Sequence, residues 1–321
     1  MRLHARRMQG YALPLVLAFL AVLGLVAGYF ASRVQQAVDN ARTWQTLAEG
    51  MIEVANARAD LLLMLNTGRF YSAGLAMPNG IRLRFDDRPY RWRKLPVAVS
   101  IQDPNGLINV NAFRADMMGR FLGQTGVSAK QYDHYIDVLR DYVDYDTLRR
   151  LNGAEGSDYR EAGLPPPRND LFHSVEELRR VLLWRDWLAD PANAEWQDWL
   201  TGARSSGFNP MTAPPKVLQT LPGVTPELLP ELLKARELRR LTEVDVGASV
   251  ELLEDLLVFF PGGVVRISFA SDKLPWLTRY NLMFTPIADD RPFRILDTAK
   301  APAKPALVNA SRAIDAIPFI D

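Results

Sequence analysis

The sequence predicts an α+β protein: a long N-terminal membrane-spanning helix packed on an antiparallel sheet, with a large α-helical domain inserted between the strands. Three observations carry this reading. A charge-free apolar run occupies residues 10–32, and its helical period continues to about residue 65. Two groups of segments alternate apolar with polar residues, one before residue 112 and one after residue 261. Between them the apolar spacing is helical.

The run from Gly10 to Ser32 is long enough to cross a bilayer, which takes about 20 apolar residues as helix. Arg2, His4, Arg6 and Arg7 precede it, so the positive-inside rule keeps the N-terminus cytoplasmic and sends the bulk across the membrane. A cleaved secretory signal has a shorter apolar region followed by a small-x-small site. Here Arg33-Val34-Gln35-Gln36 stands in that place. Gly10 lies between the basic leader and the apolar run, and this resembles a type IV prepilin leader, cut after the Gly so that Tyr11 becomes the first mature residue. A plain signal anchor with a chance Gly is the competing reading.

Helical spacing persists past the membrane segment. Val34, Ala37, Val38, Ala41, Trp44, Ala48, Met51, Ile52, Ala55, Ala59, Leu62 and Leu63 recur at steps of three and four, until Asn66-Thr67-Gly68 ends the helix. Ile81, Leu83 and Phe85 then alternate with charged residues as a half-buried strand does. Val97, Val99 and Ile101 form a second such strand. Asp103-Pro104-Asn105-Gly106 has the chemistry of a turn, and residues 107–111 are expected to return as the other arm of a hairpin.

From Ala112 to Pro261 the period is that of helices. Tyr132, Tyr135, Ile136, Leu139, Tyr142 and Val143 share one face. Ser174 and Glu177 form a capping box for a helix through Leu183. Thr225-Pro226 starts another that runs to about Arg236, and residues 249–260 read as a further short helix. Strand alternation returns at Val265, Ile267 and Phe269, at Tyr280, Leu282 and Phe284, and at Phe293 and Ile295. One sheet built from both flanks is the economical arrangement, since two strands alone are marginal; two separate β units are the alternative. The domains are therefore a leader (1–10), a helix (11–66, with 11–32 in the membrane), a sheet domain (67–111 and 262–298), an inserted helical domain (112–261) and a tail (299–321).

Composition narrows the function. The 321-residue chain has a formal net charge of +1, which sets up no field for nucleic acid. It contains no cysteine, which excludes disulfides, thiol catalysis and thiolate metal sites. The three histidines, His4, His134 and His173, stand in no catalytic or metal-ligand spacing, and the expectation is that the chain is not an enzyme. Leu221-Pro222-Gly223-Val224-Thr225-Pro226, between two short helices, is similar to a helix-hairpin-helix. A membrane-anchored nucleic-acid-binding protein is thus the second function class. Glu227 and Glu231 follow where phosphate contact wants Lys or Arg, so a structural hairpin is preferred and no nucleic-acid partner is expected. Asp141, Asp144, Asp146, Asn152, Glu155 and Asp158 form an oxygen-rich run. Its spacing is not that of an EF-hand, and a solvated acidic face and a calcium site both remain open.

Four pieces of sequence together resemble one family. They are the leader with its apolar helix; Ser100-Ile101-Gln102-Asp103 with Gly106-Leu107-Ile108-Asn109-Val110-Asn111; Asn152-Gly153-Ala154-Glu155 through Asp158-Tyr159 to Ser174-Val175-Glu176-Glu177-Leu178; and Phe208-Asn209-Pro210-Met211-Thr212-Ala213-Pro214 with Leu221-Pro222-Gly223-Val224-Thr225-Pro226-Glu227-Leu228. In their order and spacing they resemble general secretion pathway protein K, the large minor pseudopilin of type II secretion. The resemblance implies a type IV pilin-like fold with a helical insertion and calcium held in that insertion. It also implies a place at the tip of the periplasmic pseudopilus, initiating its assembly for export of folded proteins. Minor pseudopilins I and J, other pseudopilins, the inner-membrane assembly platform and a prepilin peptidase are the implied partners. Thr147-Leu148-Arg149-Arg150 departs from the more acidic, Pro-containing segment of the family.

Overall fold

The structure is a computed structural model and describes residues 12–78, 80, 82–92, 95–205, 207–237, 257–285 and 292–312. The leader, with Gly10 and Tyr11, lies outside these. The chain divides into two units, the first ending at Ile52 and the second beginning at Glu53. Helix α1 runs Ala12–Leu65. In the first unit its side chains from Leu13 to Thr46 are all exposed. Through residue 32 they are almost wholly apolar, as a segment bathed in lipid requires.

The second unit continues with β1 (Arg69–Tyr71), β2 (Gly74–Ala76), β3 (Arg82–Arg84), β4 (Tyr90–Arg91), β5 (Val97–Gln102) and β6 (Ile108–Asn109). Helices α2 (Ala115–Gln124), α3 (Tyr132–Val143), α4 (Gly156–Glu161) and α5 (Trp184–Ala189) follow, then β7 (Leu200–Thr201), α6 (Pro215–Leu218) and α7 (Leu229–Glu237). The chain closes with β8 (Val264–Ser271), β9 (Trp276–Phe284), β10 (Phe293–Pro302) and α8 (Pro305–Arg312). The main sheet has five antiparallel strands in the order β10-β9-β8-β5-β4. Strands from both flanks thus share one sheet, with the helical block between β5 and β8, as the alternation predicts. A smaller antiparallel sheet, β1-β2-β3, was not foreseen; β3 holds the described part of the expected strand at Ile81–Phe85.

The last turns of α1 bury Val54, Ala57, Leu61, Met64 and Leu65. The expected stripe is displaced, since Ala55, Ala59 and Leu63 are exposed. This helix is apolar at more positions than one face can use, and its polar residues choose among them. Glu53 pairs with Lys273 at 2.8 Å, and the Arg58 guanidinium lies 5.0 Å from the Tyr280 ring centre. On the opposite face of β8, Ala270 packs with Ala98, Leu277 and Ala301 against Leu307 and Ala310 of α8. The expected tail is therefore not a tail over its described length: β10 continues through Pro302 and α8 closes the sheet. Its Ala/Pro/Lys composition hid a short helix whose two anchors lie three residues apart.

The expected hairpin is corrected as well. β5 has β8 on one side and β4 on the other, which leaves no edge for residues 107–111. Instead β6 pairs in parallel with β7. Pro104–Gly106 form a single 3₁₀ turn capped by Asp103, and Leu107 leaves it extended, away from the sheet. The Ser174/Glu177 capping box is present, but it opens a 3₁₀ segment, Val175–Arg180. Leu183, at φ 66°, breaks the chain before α5, so no α-helix runs from 174 to 183. Of the helix expected at 249–260, residues 249–256 lie outside those described. Leu257 pairs with Phe208 in a bridge and residues 257–260 are not helical.

The insertion has its own aromatic core. Tyr142 stacks on Phe172 at 5.2 Å, and Phe121 packs against Trp187 and Trp199. Two of its buried indoles are satisfied, Trp184 donating to the Tyr135 carbonyl and Trp187 to Thr125 Oγ1, each at 3.0 Å. Two arginines join this core to the sheet. Arg266 donates to the carbonyls of Gln197 and, at 2.9 Å, Leu200, while Arg279 pairs with Asp198 at 3.0 Å. Burial, then the neighbouring Arg279, lowers the Arg266 pKa to about 10, so it stays charged at neutral pH.

Asp103, fully buried, sits where the chain leaves the sheet. Its carboxylate accepts from the Asn105 backbone at 3.0 Å, Asn209 Nδ2 at 2.9 Å, the Thr212 hydroxyl at 3.0 Å and the Gly262 backbone at 3.2 Å. Burial pushes its pKa up, and these donors pull it back. Gly106 is required beside it, because a Cβ there would meet the Thr212 backbone at 2.7 Å. Replacing Asp103 by Ala strands several buried donors, each worth roughly 1–3 kcal/mol when unpaired. We expect Asp103→Ala to lower unfolding free energy by roughly 3 kcal/mol. Thermal or urea unfolding measures this, and an unchanged midpoint would show that the four donors find other partners.

Candidate functional site

The acidic run falls on the end of α3, the loop that follows and the start of α4. Asp141 is in the last turn of α3 and is fully buried. Its Oδ1 accepts from Arg150 Nη1 at 2.6 Å and its Oδ2 from the Arg150 backbone N–H at 3.1 Å. The same Nη1 donates to Asp144 Oδ2. Glu155, 6% exposed, caps α4 through its side chain, in a capping box completed by Asp158. Burial, then the charges of Asp141 and Asp144, raises the Glu155 pKa. The structure therefore gathers Asp141, Asp144 and Glu155 into one electrostatic neighbourhood, with Asp146 at its margin.

The other two predicted residues are engaged nearby. Asn152 donates from its backbone and side chain to Asp137 Oδ2, each at 3.3 Å. Asp158 accepts from the Glu155 backbone at 2.8 Å and pairs with Arg149 at 3.1 Å. Asp146 Oδ1 accepts from the Leu148 backbone at 2.8 Å. A further residue was missed. Asn169, in the left-handed region at φ 50°, donates its amide to the Asp146 carbonyl. Its place after a run of prolines far along the chain gave no sign that it folds back to this loop.

Among the described residues, three side-chain oxygens of this loop and the segment that returns to it are buried without a hydrogen-bond donor: Asp144 Oδ1, Glu155 Oε1 and Asn169 Oδ1. Buried acceptors are nearly always satisfied, so this set has the chemistry of a hard-cation site. It suits calcium, which takes carboxylate and amide oxygens, and it holds no soft ligand. Among the described residues, no three Asp, Glu or His side chains converge as metal ligands, and the Arg150 guanidinium pairs with two of the acids.

The helix-hairpin-helix-like segment is packed as structure. Leu221 and Val224 are buried, and the Lys216 ammonium lies 3.6 Å from the Trp199 ring centre.

Comparison with known proteins places this arrangement. Residues 98–189, from β5 through the acidic loop to α5, match the family described as type II secretion system (T2SS), protein K. Over that stretch the chain is similar to protein K of type II secretion. A chain of the crystal structure of the GspK-GspI-GspJ complex from the enterotoxigenic Escherichia coli type 2 secretion system aligns over 82% of this chain and 100% of its own, with a TM-score of 0.55 and 14% identity. At that identity the likeness establishes the pilin-like α+β fold alone. None of the curated proteins matches in sequence. In keeping with this family, α1 is long and apolar enough for single-pass anchoring.

Gly153 is the tightest point of the loop. A Cβ there would lie 1.8 Å from Asp141 Oδ2, and that carboxylate is held by Arg150 on both oxygens. Gly153→Ala should therefore cost roughly 2 kcal/mol, by displacing the buried Asp141 carboxylate from its donors. A chelator-treated sample that melts at the wild-type temperature would show that the loop yields freely.

Proposed function

We propose that this chain is a minor pseudopilin of type II secretion that caps the tip of the periplasmic pseudopilus, together with the I and J minor pseudopilins, and helps initiate its assembly for export of folded proteins. The observation that carries the reading is the insertion of a complete helical domain between two neighbouring strands of a pilin-like sheet. A shaft subunit must fit between neighbours on every side, whereas a terminal one has a free end where such a domain fits. The similar fold found in the GspK-GspI-GspJ complex supports I and J as partners.

Residue 15 points the same way. If the leader is cut after Gly10, Leu15 is the fifth mature residue, where major pilins carry Glu. A carboxylate in a membrane-embedded bundle costs several kcal/mol unless paired, and the N-terminal amine of a neighbouring subunit supplies the partner. Leu15 needs no such amine ahead of it. The subunit stands in the bacterial inner membrane with its N-terminus cytoplasmic, after processing to Tyr11 by a prepilin peptidase, and acts as an assembly component without catalysis. The platform and the other pseudopilins are its further partners.

Labelling of assembled pseudopili is the deciding experiment. Label at one end, on a subunit that begins at Tyr11 and co-purifies with the I and J proteins, is the expected result. Label along the fibre would refute the tip assignment.

Calcium is the ligand we propose for the acidic loop, with Asp144, Glu155 and Asn169 supplying oxygens and Asp141 behind them. A ligand bound only by the folded state stabilises it by about 2.7 kcal/mol at one hundred times Kd. Millimolar calcium should raise the melting temperature and a chelator should reverse it. An unchanged midpoint would mean that the acids are only an internally paired face.

A further inference from the structure

Resting on the calcium reading above, we propose that Arg150 is a tethered cation that holds the acidic loop closed until a divalent cation replaces it. Its guanidinium already does half of a metal ion's work. One nitrogen, Nη1, bridges Asp141 Oδ1 at 2.6 Å and Asp144 Oδ2, and the Arg150 backbone N–H fixes the second Asp141 oxygen at 3.1 Å. The neutralisation is incomplete. Arg150 pairs with Asp141 and Asp144, whose charges also bear on Glu155, while Arg149 is engaged by Asp158. Glu155 is more than nine-tenths buried, and its Oε1 has no donor. Asp144 Oδ1 and Asn169 Oδ1 are left in the same condition.

A guanidinium cannot repair this. It is planar, and its donors form a fixed fork that reaches carboxylates in one plane. A calcium ion accepts six to eight oxygens around a point and carries twice the charge. The exchange is also mechanically open. The Arg150 side chain is 38% exposed, so it can swing into water without unpacking the aromatic core. The loop that carries it is not anchored by apolar burial, since Leu148 and Leu151 are 77% and 93% exposed. The carboxylates do not converge on a common point in this structure, and departure of the guanidinium would free one oxygen each of Asp141 and Asp144 to move toward a cation.

The test is calcium titration by calorimetry on the full chain in detergent, alongside thermal melts in a chelator. Arg150→Gln removes the competing charge. It should bind calcium roughly 10- to 100-fold more tightly than wild type, the range expected when one charge-assisted contact no longer competes. In chelator it should melt below wild type, and calcium should restore it. Should Arg150→Gln fail to fold, Arg150→Lys carries the test with the same sign, because an ammonium bridges two carboxylates less well. Equal or weaker calcium binding by the variants overturns the exchange and leaves the calcium reading standing. No calcium binding by wild type or variant overturns both.

Discussion

The structure depends on a buried carboxylate at the crossing of three chain segments. Asp103 ends β5, Asn209 and Thr212 lie deep in the insertion, and Gly262 begins the return to β8. β5 and β8 are neighbours, so the whole helical domain must leave and re-enter at nearly one point. Backbone polar groups at such a crossing are withdrawn from water and need partners. One carboxylate supplies them, and Gln102 adds a bond from its amide to the Thr212 carbonyl at 3.0 Å. Burial alone would make this charge unfavourable; four donors make it tenable. The same donors would be stranded by any other way through.

That arrangement lets two cores coexist. The sheet could close with strands 161 residues apart in sequence only if the intervening chain folds on itself, and its aromatic cluster does so. What then fixes the orientation of the insertion is again polar. Arg266 and Arg279 stand on the face of the sheet opposite Ser271, and they reach the carbonyls and carboxylate of residues 197–200. Lys304, at the start of α8, completes this set with Asp198 at 2.8 Å and Asp87. The C-terminal helix is thereby held on the sheet by charge as well as by Leu307 and Ala310.

Much of the fold was legible in the sequence because its signals are periodic. Alternation at residues 97–101, 265–269 and 280–284 marks strands wherever they pair, and the block between them is helical by spacing. What alternation cannot state is the neighbour. The segment at 107–111 has strand character and a turn before it, yet β4 and β8 already flank β5, and Asn109 and Asn111 bind the carbonyls of Ala203, Gly202 and Phe172. Those partners are distant in sequence, and no local pattern names them. The candidate site shows the same division. Asp141, Asp144 and Glu155 stood out as acids on one stretch. Asn169 enters by a loop return, and Arg150 belongs to the segment that departs from the family's acidic pattern.

Two buried acidic centres are thus handled by different chemistry within one chain. At Asp103 the compensation is four neutral donors, three of them fixed by the folds of segments that cannot move without opening the crossing. Neutral donors on rigid backbone cannot be exchanged, so this centre is permanent. At Asp141 and Asp144 the compensation is a charged arm rooted in a loop and partly in water. An ion pair of that kind is strong against removal of either partner but yields to a better cation, because the replacement leaves no acid unpaired. The permanent centre lies where the sheet meets the insertion. The proposed exchange lies within the insertion, between α3 and α4, where a change of cation would alter a loop and leave the crossing intact.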